Sequence, residues 1–240
     1  VLNRNDSQQI LEMLEKNNMF LIPLDNERNW YRYHHLFADL LKQRLHLRSK
    51  TAIAELHNKA SDWFRINSMP LFAIEHAIVI GNFEKSILFL GEIVETMWKN
   101  GQHAAILKYG DLLPDELIKK NADFCLFYAW ILIIAGQIQK AEPFLVSAGI
   151  IANNSINDKS SSDCEIQENK ILSGKICVAF AYLYSMKANP EKALSFCTEA
   201  LKNLKEDEPF WNSWAWYSVG WAKEVCGNIA ECVGAFKKAL

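Results

Sequence analysis

Ala129-Trp-Ile-Leu-Ile-Ile-Ala-Gly136-Gln-Ile-Gln-Lys-Ala141 joins a continuous apolar run to an amphipathic one through a single glycine. Two antiparallel helices need such a stretch. Glycine reverses the chain through positive φ at little steric cost, and small residues on either side let the helix axes approach closely. The arrangement recurs at Ala181, Ala188 and Ala193, and again at Gly220, Gly227 and Cys232.

With the turn taken as repeat position 15, the match to a tetratricopeptide pattern extends to further positions. Position 8 is Ala129, Ala181 and Gly220, and position 20 is Ala141, Ala193 and Cys232. Position 24 is Leu145, Cys197 and Phe236, and position 27 is Ala148, Ala200 and Ala239. The last repeat reads Trp216-x-x-Val219-Gly220, near the W-x-x-L-G of such repeats. The turns lie 52 and 39 residues apart, against about 34 for an uninterrupted repeat. Insertions account for the difference. One is expected as a surface loop at about 153–167, rich in Asn, Ser and Asp, and a smaller one around Lys205 to Pro209. A more degenerate pair at Leu56 to Ile80 carries Ser61 and Ala73 at the small positions, and helices starting near Asn82 and Ala104 bridge to the clearer repeats.

Upstream the period changes. A helix opens at Asp6-Ser7 with Gln9 in capping-box position, then Phe20-Leu-Ile-Pro-Leu24, the polar turn Asp25 to Asn29 and Trp30-Tyr-Arg-Tyr33 spell a β-hairpin. A helix from about His35 to Arg48 carries Leu36, Phe37, Leu40, Leu41 and Leu45 on one face. Helix, hairpin and helix predict the C-terminal part of a winged-helix domain over residues 1–50, with helical repeats over 51–240. The predicted fold class is all-α: a tetratricopeptide-like superhelix preceded by a partial winged helix with one hairpin.

Half of the 240 residues are apolar, 22% are charged, and the net charge is only -2. That composition is globular. A pI near 6.3 offers no overall electrostatic footprint for nucleic acid. The longest apolar run, Phe124 to Ala135, has 12 residues, short of the roughly 20 that span a bilayer. No membrane partner is expected. Cys125, Cys164, Cys177, Cys197, Cys226 and Cys232 lie scattered in apolar helical patterns, which predicts reduced thiols and a cytoplasmic protein. The opening Val1-Leu-Asn-Arg-Asn-Asp6 has neither signal-peptide order nor an initiating Met, so the chain reads as a piece of a longer protein.

Phe20-Leu-Ile-Pro-Leu-Asp25, Trp30-Tyr-Arg-Tyr-His-His-Leu-Phe-Ala-Asp-Leu-Leu41 and Gln43-Arg-Leu45 together resemble a signature of the MalT-like large ATP-binding regulators of the LuxR family. The resemblance continues through Leu56-His57, Ala60, Trp63, Ala73-Ile-Glu-His-Ala77, Gly81-Asn-Phe-Glu84, Leu112-Leu-Pro114, Tyr128-Ala-Trp130 and Ala135-Gly-Gln137, and weakens to the general repeat pattern after Gln167. It implies a nucleotide-binding switch upstream, a winged helix, a superhelical sensor array and a C-terminal DNA-binding domain. No G-x-x-x-x-G-K-[ST] loop occurs here, so ATP is expected only in an upstream domain, and this chain is expected to need no cofactor. DNA is expected to be contacted only through a domain beyond Leu240. The apolar end at Phe236 and Ala239 would then favour self-association, since exposed solenoid ends seek cover.

Candidate sites follow from these placements. Repeat position 9 is aromatic in every clear repeat, namely Trp130, Tyr182 and Trp221, and Trp214 and Tyr217 add to that face. Such rings could stack on a ligand in the groove of the array, or could simply pack between neighbouring helices. His34-His35 lacks further ligands at metal spacing, and Cys226 and Cys232 lack a C-x-x-C context. Asp115-Glu116 and Glu206-Asp-Glu208 suit helix starts, where carboxylates meet the helix dipole. Arg28, Arg32, Lys42, Arg44, Arg48 and Lys50 could touch phosphates, but packing is the better account in a regulator of this type. No catalytic constellation emerges, and a non-enzymatic role is expected. The leading expectation is signal sensing, with a small-molecule inducer or regulatory protein bound in the repeat groove. The rival is a protein-binding scaffold that takes no small molecule.

Overall fold

The computed structural model describes residues 6–48, 50–158 and 160–240, with the side chains of His46, Arg48, Lys50 and Thr51 outside the description. The described residues form thirteen helices and one hairpin, and the chain divides into two compact units between Asn82 and Phe83.

The first unit begins with α1 (Ser7–Lys16), which follows Asp6 without the side-chain cap bond of a capping box. Strands β1 (Leu21–Pro23) and β2 (Tyr31–Tyr33) pair antiparallel, with Leu21 opposite Tyr33 and Pro23 opposite Tyr31. Asp25 organises the turn between them. Its Oδ1 accepts from the backbone N–H of Asn29 (2.9 Å) and Trp30 (3.1 Å), which mimics a tighter turn. Helix α2 (His35–Arg48) follows, and Phe37 packs against Phe20 and Tyr33 with centroids 5.3 and 5.5 Å apart. Leu36, Leu40, Leu41 and Leu45, predicted to share the apolar face with Phe37, are exposed. Of the basic residues in this region, Arg28 pairs with Glu15, while the side chains of Arg48 and Lys50 lie outside the described residues.

Helices α3 (Lys50–Ile66) and α4 (Pro70–Val79) form a hairpin turned at Ser68, φ +60. The predicted small positions meet there: Ser61 Oγ donates to the Ala73 carbonyl at 2.8 Å, and both residues are fully buried. The hydroxyl is thereby satisfied inside a tight helix contact.

The second unit contains α5 (Phe83–Lys99), α6 (His103–Leu112), α7 (Asp115–Ile118), α8 (Ala122–Ile134), α9 (Ile138–Asn157), α10 (Asp163–Met186), α11 (Pro190–Asn203), α12 (Pro209–Val225) and α13 (Ile229–Ala239). Helices α8 and α9, α10 and α11, and α12 and α13 are antiparallel pairs, while α5, α8, α10 and α12 pack in succession. The three turn residues superposed in the sequence, Gly136, Ala188 and Gly227, all have positive φ, at +76, +53 and +78. Ala188 accepts a conformation that favours glycine. Positions 8 and 20 of the repeats are buried throughout.

The stretch expected as a loop at 153–167 is mostly helix. α9 continues to Asn157 and α10 begins at Asp163, leaving a short connection that includes Lys159, itself outside the described residues. The polar residues are accommodated because Ser155 and Asn157 bond back to the carbonyls of Ile151 and Asn153. Ser162 and Glu165 then close a capping box at the next helix start. The smaller insertion, 204–208, is a true connection between α11 and α12.

Candidate functional site

Helix α8 anchors the inner layer of the second unit. Asn121 caps it by accepting from Phe124 N–H at 2.9 Å, and every residue from Phe124 to Ile133 is buried. A helix apolar on all sides can only be a central one. Close approach is built in around it: a Cβ on Gly110 would stand 2.2 Å from the Tyr128 ring. The Tyr128 hydroxyl meanwhile donates to Asp111 at 3.0 Å.

From α8 an aromatic layer extends across α10 and α12. Trp130 meets Trp211 at 5.2 Å, Trp214 at 5.3 Å and Tyr182 at 5.6 Å between ring centroids, with the first two near edge-to-face. Tyr182 and Trp214 lie 4.7 Å apart, also near edge-to-face. Trp214 continues to Tyr217 (5.4 Å), and Tyr217 to Phe236 (5.6 Å) on α13. Edge-to-face geometry places positive ring edges on negative faces and adds about 0.5–1.5 kcal/mol per pair beyond area burial.

Burial sorts the predicted ladder. Trp130 is fully buried, so it is a core residue with no face available for stacking, and its Nε1–H has no hydrogen-bond partner among the described residues. The cause is the arrival of Phe210 and Trp211 at the start of α12, which cap its ring from the next helix. Tyr182 and Trp214 are half-buried, and Tyr217 is 43% exposed. Trp221 is half-buried on α12 and stands outside this set of ring contacts. Four of the five predicted rings are therefore brought together, and one is apart. The layer also includes Trp98, Phe127, Phe210, Trp211 and Phe236, which repeat position 9 does not single out. The adjacent pair Phe210-Trp211 just inside a proline-initiated helix was the signal for two of them.

Two openings adjoin the layer. At Tyr217 an apolar cleft of about 450 Å³ is lined by Trp214, Tyr217, Phe236, Ala239 and Leu240. Beside Phe127 a smaller cavity of about 250 Å³ is lined by Lys175 and several carboxylates. Larger polar clefts between α9, α10 and α11 share Asn153, Ser173 and Glu199. Their polar groups are largely engaged locally: Thr198 bonds to the Leu194 carbonyl and Asn203 to Glu199.

Thiol chemistry is disfavoured in the core. Burial pushes Cys125, Cys177 and Cys197 up to about 12, so each is a neutral thiol at physiological pH.

Comparison with known proteins bears on the whole chain. The MalT winged helix domain matches residues 1–53. The HTH-type transcriptional regulator MalT of Yersinia enterocolitica is 26% identical over 236 residues, covering 98% of this chain and 24% of the relative. The protein of the same name from Yersinia pestis is 24% identical over the same extent. The chain spans about a quarter of the length of these curated relatives. The signature around the hairpin, the family match there and the similarity across the repeats agree: this chain resembles MalT along its length, with a match to the MalT winged helix domain followed by helical repeats.

Proposed function

We propose that this chain is the signal-sensing region of a MalT-like transcriptional regulator. In this reading the repeats bind an inducer or a regulatory protein, and the winged-helix domain passes occupancy to the rest of the regulator. The observation that supports it is the aromatic layer that runs from Trp130 on α8 through Tyr182 on α10 to Trp214 and Tyr217 on α12, with ring centroids 4.7–5.6 Å apart. Apolar walls with a few polar ring edges suit a ligand site. Binding shifts a regulator only if the ligand prefers one of its states, so the site must differ between resting and active forms. The chain acts by binding and not by catalysis, in the cytoplasm, and nucleotide and promoter recognition belong to other parts of the regulator.

Titration of the full chain with small molecules, followed by tryptophan fluorescence, tests this reading. A saturable signal weakened by Tyr217→Ala, at unchanged stability, is the expected result. A ligand whose affinity ignores both Tyr217→Ala and Trp214→Ala would overturn the placement. The second reading is a scaffold for a protein partner, bound along the same aromatic layer. It predicts capture of a regulatory protein with no small molecule present.

A further inference from the structure

We draw no further inference here: the strongest candidate, the apolar cleft between α12 and α13 that Trp214, Tyr217, Phe236 and Leu240 line, is an unpartnered face of that helix pair, and nothing in the structure shows what covers it.

Discussion

The ring of Phe236 lies directly over Gly220, so that a Cβ on Gly220 would stand 2.6 Å from the ring. The smallest residue at repeat position 8 is matched by the largest at position 24, whereas the earlier repeats combine Ala129 with Leu145 and Ala181 with Cys197. Gly220→Ala should therefore destabilise the chain by overpacking, by about 1–3 kcal/mol. Phe236→Leu should recover much of that loss in the double variant. Denaturant unfolding of the two single variants and the double variant measures the interaction, and additive effects would contradict the contact.

Trp130 and Tyr217 belong to the same layer but should respond very differently to truncation. Trp130→Ala opens a cavity in a closed core and should cost about 3–5 kcal/mol. Tyr217→Ala removes a ring that is 43% exposed and should cost less than about 1 kcal/mol. Thermal unfolding of the two variants checks the ranking. Equal losses would show that the layer is as closed at Tyr217 as at Trp130.

His57 and His76 face each other with their Nδ1 atoms 2.7 Å apart, so one imidazole must donate while the other accepts. Burial, reinforced by the His57 charge, lowers the His76 pKa, and Glu75 opposes the shift. With the folded value below the unfolded value of about 6.5, the native state binds fewer protons, so stability is constant above that pH and falls as acid is added. The chain should melt at a lower temperature at pH 5.5 than at pH 7.5, by scanning at these two values of roughly one unit either side of the unfolded pKa. His76→Gln should reduce that difference. A pH response untouched by His76→Gln would assign it to other groups.

Lys175→Met should destabilise the second unit, because it leaves Glu95 and Glu208 facing each other without the ammonium between them. The carboxylates keep some solvent, with side chains 36% and 23% exposed, so the cost should be moderated to about 1–3 kcal/mol. Adding Glu95→Gln and Glu208→Gln to the lysine variant should restore most of it. A triple variant no more stable than Lys175→Met would mean that packing of the lysine stem, and not charge, sets the effect.

Local rules made much of this architecture readable in the sequence. Helical spacing, the hairpin between Phe20 and Tyr33, and turns at Gly136, Ala188 and Gly227 depend on neighbours along the chain, where propensity, period and φ act directly. The small residues at Ser61 and Ala73 were legible for the same reason, as sites where two helices must touch. Tertiary structure alone decided that Trp130 is core, because the rings that cover it come from Phe210 and Trp211, some eighty residues further on. It also brought Glu95, Lys175 and Glu208 together from two helices and the residue that precedes a third, a charge cluster that no spacing announces. The polar stretch after Asn153 looked like a loop, yet folds as helix because its side chains bond back to the backbone and packing against α10 outweighs weak propensity. Burial and charge pairing are sums over distant neighbours, and only the packed chain carries them out.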